Sequence, residues 1–163
     1  MAVVIVYHSE TGQTRLVAEQ AAKRTGAVLI PVKDQANYNA VTRYLIGARQ
    51  ARNNQKARID PSEIDVALYD GIVVGSPVWA WHPTPAINAA IDALRGCERK
   101  PGLIFTTSGG MPGETVEMMK TALTERGVDV LGTFHFSRKE LQDPKKIGEL
   151  VSAIIAMHGA SSG

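Results

Sequence analysis

The amino-acid sequence predicts an α/β fold, a doubly wound five-stranded parallel sheet with helices on both faces. Three observations point there. Short apolar runs rich in β-branched residues recur along the chain, segments with helical apolar spacing come between them, and loops rich in Gly, Ser and Pro follow several of the runs. Parallel strands need long crossovers, and helices supply them, so regular alternation of the two favours a parallel sheet covered on both sides.

The elements follow in order. Ala2 to Tyr7 is a continuous apolar run, the pattern of a strand buried on both faces. From Thr14 onward Leu16, Val17, Ala21 and Ala22 fall at helical spacing, and Gly26 supplies a stop before the second run, Ala27 to Val32. The third run, Gly71 to Ser76, leads through a proline-rich loop to a helix in which Ile87, Ala90, Ile91 and Leu94 share one face. Gly102 to Thr107 is the fourth strand. The Gly-rich segment Ser108 to Gly113 then opens a helix carrying Val116, Met118, Met119 and Leu123, and Val128 to Phe136 reads as the fifth strand. Ile147, Leu150, Val151, Ile154 and Ile155 build a closing helix, with Ala156 to Gly163 as a frayed polar tail. The segment Lys33 to Asp70 is longer than a usual connection, and Val41, Tyr44, Leu45 and Ala48 predict a helix of its own from about Ala40 to Gln55, despite Gly47.

Composition bounds the rest. A chain of 163 residues, 44% hydrophobic and 21% charged, is expected to form one globular domain over residues 1–163. Cys97 is the single cysteine, so no internal disulfide is possible; this favours a reducing compartment, the cytoplasm by default, and reads Cys97 as incidental. No spacing suggests a metal site. The opening apolar run is too short for a signal-peptide core or a membrane span, and a net charge of +2 is too small to imply nucleic-acid binding by the whole domain.

The most specific chemical signal is Ser9-Glu10-Thr11-Gly12-Gln13-Thr14, between the first strand and the first helix. A helix N-terminus presents unpaired N–H groups and partial positive charge, Gly12 admits close backbone approach, and three hydroxyls can donate to phosphate oxygens. The same residues also suit a simple helix cap. No Gly-Lys-Ser or Gly-Lys-Thr occurs, and the spaced glycines of a dinucleotide loop are missing. Further on, Trp79 and Trp81 offer flat surfaces for a ring system, in competition with core roles. His82 could polarise a bound oxygen or be merely exposed, and His8 could face a ligand or pack beneath it. Glu10 is expected to turn its carboxylate to solvent, away from a phosphate.

This arrangement resembles the flavodoxin family, whose phosphate loop S-x-T-G-x-T is matched at Ser9, Thr11, Gly12 and Thr14. The resemblance extends to Gly75-Ser76-Pro77-Val78-Trp79 and to Thr107-Ser108-Gly109-Gly110, and it covers nearly the whole chain outside Lys33 to Asp70. It implies strand order 2-1-3-4-5 with flavin mononucleotide (FMN) at the switch point. Ser9, Glu10, Thr11, Gly12, Gln13 and Thr14 would hold the phosphate. Pro77, Val78, Trp79, Ala80 and Trp81, with Ser108, Gly109 and Gly110, would flank the isoalloxazine, and no side chain need act covalently.

The leading expectation from this resemblance is an electron-transfer protein; the alternative is an NAD(P)H-dependent FMN or quinone reductase, and a third class is an FMN-binding regulator without turnover. A phosphoacceptor response regulator shares the architecture but needs acidic residues where this chain has His8-Ser9 and Ser76-Pro77. Two departures stand out. Familiar flavodoxins are acidic, whereas here Arg43, Arg49, Arg52, Lys56 and Arg58 form a basic stretch without an acidic residue, either a solvated face or a docking surface for an acidic redox partner or an anionic substrate. Family members also often place a glycine just after the loop tryptophan, where its peptide can turn toward the flavin; this chain reads Trp79-Ala80-Trp81.

Overall fold

The computed structural model describes residues 2–35 and 58–160. Strand β1 (Val3–Tyr7) runs parallel between β2 (Val28–Pro31) and β6 (Gly71–Trp79). Beyond β6 lie β9 (Pro101–Ser108) and then β10 (Asp129–Ser137), again parallel, so the long strands are ordered β2-β1-β6-β9-β10. In chain order of these five that is 2-1-3-4-5, and the fold is flavodoxin-like.

Alternation along each strand sends side chains to opposite faces, and the two faces bury separate cores. Val4, Val6, Ile72, Val74 and Ile104 pack under α2 (Pro85–Ala93) and α3 (Thr115–Glu125). Val3, Ile5, Tyr7, Val73, Leu103 and Phe105 pack under α1 (Gln13–Thr25) and α4 (Pro144–Ala160). Gly26 ends α1 as expected, with φ 75° and its N–H donating to the Ala22 carbonyl at 2.8 Å. Thr84 caps α2 by accepting from the Ile87 N–H at 3.3 Å, with Pro85 in the first turn.

The structure departs from expectation in several places, and Leu94, expected on the helix face with Ile91, instead follows the end of α2 as the first residue of a short strand. Helix α4 continues to Ala160, because Met157 is buried and lies against Gly71, so most of the expected frayed tail is helical. Ile155, expected on the buried face, is 55% exposed; Met157 follows Ile147, Leu150, Val151 and Ile154 on that face instead. A short strand β7 (His82–Pro83) also pairs antiparallel with the end of β6, making the sheet six-stranded. Two small pairs complete the description: β3 (Lys33–Asp34) with β4 (Ile59–Asp60), and β5 (Ile64–Asp65) with β8 (Leu94–Arg95). The expected helix over residues 40–55, with Tyr44 and the basic stretch from Arg43 to Lys56, lies outside the described residues; Arg58 is exposed. Among the described residues, no helix is long and apolar enough to cross a membrane, and no cluster of His, Cys, Asp and Glu could hold a metal ion.

Candidate functional site

The carboxyl ends of β1, β6 and β9 are neighbours, with Tyr7 opposite Gly75 and Pro77 opposite Thr107. The three loops singled out in the sequence therefore meet at one edge of the sheet, where open parallel sheets bind ligands.

The first loop enters α1 through Gly12, whose φ of 91° is left-handed. An added Cβ there would meet nothing within 4 Å, so backbone conformation rather than space calls for glycine. The Ser9 hydroxyl accepts from the Gly12 N–H at 3.2 Å. Helix α1 has no side-chain cap and no acidic residue in its first turn, which leaves its leading amides to an anion. Thr14 is buried, and its hydroxyl lies 2.8 Å from that of Thr107, joining the first loop to the end of β9. Thr11 is exposed, Glu10 and Gln13 less so.

Beneath this loop His8 is buried, with Nδ1 2.9 Å from the Val32 carbonyl oxygen and Nε2 3.1 Å from Glu10 Oε1. Glu10 thus departs from its expected solvated position: its side chain is 19% exposed and folded back onto the imidazole. The His8 ring also stands edge-on to Trp79, 6.3 Å between centroids at 77°. Burial pushes the phenol of neighbouring Tyr7 above its ordinary range.

The second loop is a tight hairpin. Val78 pairs with Pro83 and Trp79 with His82, leaving Ala80 and Trp81 as the two turn residues, at φ 49° and 65°. Such turns normally use Asn-Gly or Gly-rich pairs, since each non-glycine residue there costs about 1–2 kcal/mol. Contacts with the start of α3 oppose that strain. The Glu114 N–H donates to the Trp81 carbonyl at 3.0 Å, His82 Nε2 lies 3.2 Å from Glu114 Oε2, and Trp81 packs directly on Gly113. Trp79 is half-buried, whereas Trp81 is 60% exposed.

The third loop, Ser108 to Gly110, leaves β9 beside β10. Its two glycines are exposed, and its carbonyl and hydroxyl groups meet His135 of β10. Arg138, at the end of β10, comes within 4.0 Å of where a Gly109 side chain would begin. Neither His135 nor Arg138 was a candidate from sequence. His135 alternates with Phe134 and Phe136 as a polar residue on a strand, but only the β9–β10 register puts it opposite Thr106.

A family model describing NADPH-dependent FMN reductases matches residues 1–158. No protein with a curated description matches the chain. Among solved structures, a flavoprotein of Lactobacillus acidophilus in complex with FMN is 25% identical, with 82% of this chain and 92% of that chain covered and a TM-score of 0.65. A Bacteroides eggerthii protein provisionally described as a flavoprotein is 21% identical over 94% of this chain and 98% of that one, TM-score 0.74. Oxidised flavodoxin 2 of Bacillus cereus is 18% identical over 98% and 99%, TM-score 0.62. The last two likenesses concern the fold alone. With the family match running through almost every residue, the chain belongs to the NADPH-dependent FMN reductase family, on a flavodoxin-like fold.

Proposed function

We propose that this protein is an oxidoreductase that reduces its FMN with NAD(P)H and delivers the electrons to a second small molecule, such as free flavin or a quinone. The observation that carries this reading is the reductase-family match over residues 1–158. FMN is the cofactor. When bound it supplies a ring that takes up and releases electrons singly or in pairs.

The residues present suit it. The uncapped start of α1, reached through Gly12, matches a phosphate dianion, and Ser9, Glu10, Thr11, Gln13 and Thr14 complete that loop. Trp79 and Trp81, on the hairpin with Pro77, Val78 and Ala80, provide aromatic surface for the isoalloxazine, and Ser108, Gly109 and Gly110 provide polar groups on its other side. Trp81 and Met111, 60% and 80% exposed, leave apolar surface at the same edge for a flat second substrate. A single buried thiol, Cys97, is compatible with a cytoplasmic setting.

The second reading, a carrier between redox proteins, draws on the basic stretch from Arg43 to Arg58, which could dock an acidic partner. Anaerobic addition of NADPH or NADH to FMN-loaded protein separates the two. We expect rapid bleaching of the flavin absorbance and multiple turnovers with added FMN or quinone. Sluggish bleaching beside fast, salt-dependent exchange with an acidic redox protein would favour the carrier.

A further inference from the structure

His135 reaches into the third loop from the neighbouring strand. Its Nδ1 lies 2.8 Å from the buried Thr106 hydroxyl, and its Nε2 lies 3.0 Å from both the Ser108 hydroxyl and the Gly110 carbonyl oxygen. Hydrogen positions follow from these partners. A carbonyl only accepts, so Nε2 carries the hydrogen, shared between the Gly110 oxygen and Ser108 Oγ, and Nδ1 accepts from the Thr106 hydroxyl. The reverse tautomer would set the bare Nε2 lone pair against the Gly110 oxygen. Ser108 Oγ also accepts from the Gly110 N–H at 3.2 Å. With both lone pairs taken, the Ser108 hydroxyl keeps only its own hydrogen to offer outward. The Lys146 ammonium, donating to the His135 carbonyl at 3.2 Å and paired with Glu140 at 3.1 Å, pins the strand that presents the ring.

We propose that His135 is a positioning residue that makes Ser108 an obligate hydrogen-bond donor toward a carbonyl oxygen of the flavin ring. The proposal rests on the reading that Ser108 to Gly110 face that ring. A donor aimed at such an oxygen binds more strongly as the ring gains negative charge, so His135, acting through Ser108, both holds the ring and raises its reduction potential.

The test uses apoprotein titrated with FMN and with riboflavin, and the midpoint potential of the FMN-loaded protein. His135→Phe removes both ring nitrogens. It is expected to weaken both ligands by the same factor, about tenfold for one lost ring contact, and to lower the potential. His135→Gln retains a donor and should recover most of both effects. Ser108→Ala should reproduce the loss, with His135→Phe adding little on top of it. Gly12→Ala, at the phosphate loop, should weaken FMN and spare riboflavin. Should His135→Phe fail to fold by circular dichroism, Thr106→Val decides, because it removes the hydroxyl that anchors Nδ1 and so holds the ring beneath Ser108, and it should shift both readouts the same way. Unchanged riboflavin affinity and potential in these variants, or additivity of His135→Phe with Ser108→Ala, would overturn the proposal. Loss of FMN binding by folded wild-type apoprotein would instead sink the cofactor seat, and this proposal with it.

Discussion

A methyl group added at position 75 would sit 2.2 Å from Phe105 Cζ, inside a ring that is fully buried and edge-on to Phe136 at 6.3 Å. Gly75 is therefore a packing glycine, and the loop it opens starts from a backbone that Phe105 holds in place. Gly12 is a glycine of the other kind, free of neighbours and required by its φ of 91°. Because nothing would clash, Gly12→Ala isolates the conformational effect, about 1–2 kcal/mol against the left-handed geometry. FMN affinity is expected to fall by about tenfold, with riboflavin nearly unaffected, since only FMN carries the phosphate. Titration of apoprotein with each ligand checks this, and equal weakening of both would show that the loop is only a structural cap. Of the three hydroxyls legible in that loop, Thr14 is bonded to Thr107 and Ser9 accepts from the Gly12 amide. Those assignments depend on strand β9 and on the turn's own geometry, so the motif alone could not supply them.

At the scale of elements, the β6–β7 hairpin holds strain that its sequence announces only in part. Trp79-Ala80-Trp81 shows that glycine is missing, but not that both turn residues have positive φ. Ala80→Gly should relieve about 1–2 kcal/mol of strain while adding about 0.4–1 kcal/mol of unfolded-chain entropy, a small net gain in stability. Urea unfolding of the apoprotein measures it, and a clear loss would mean the Ala80 methyl packs favourably. The β10–α4 corner responds to pH. The Ser137 hydroxyl and amide, helped by the Lys146 ammonium, hold the Glu140 carboxyl down from 4.5 to about 2. A lowered folded value favours the ionised form in the folded state, so its contribution is present above about pH 4.5 and is lost as pH falls toward about 2. Glu140→Gln should therefore melt below wild type near neutral pH, and the two curves should converge near about pH 2. A constant gap across that range would mean the glutamate acts by shape alone.

For the whole molecule, the apolar runs from Ala2, Ala27, Gly71, Gly102 and Val128 all became strands of one sheet, and the helical faces after the first, third, fourth and fifth of them became its two cover layers. Burial on both faces and one-sided helices are local patterns, readable residue by residue, which is why the sequence by itself determined the fold class, the element order and the three candidate loops. The strand order was legible through family likeness rather than periodicity. What only the tertiary structure decided lies between elements: the His8–Glu10 fold-back beneath the loop, the Thr14–Thr107 tie, Met157 closing over Gly71, and the His135 bonds to Ser108 and Gly110. Most of these join groups far apart in the chain, and even His8 and Glu10 meet only because Val32 and Trp79 fix the imidazole. A one-residue slip in register would turn His135 to the opposite face of the sheet, so its partners exist only once the strands are paired.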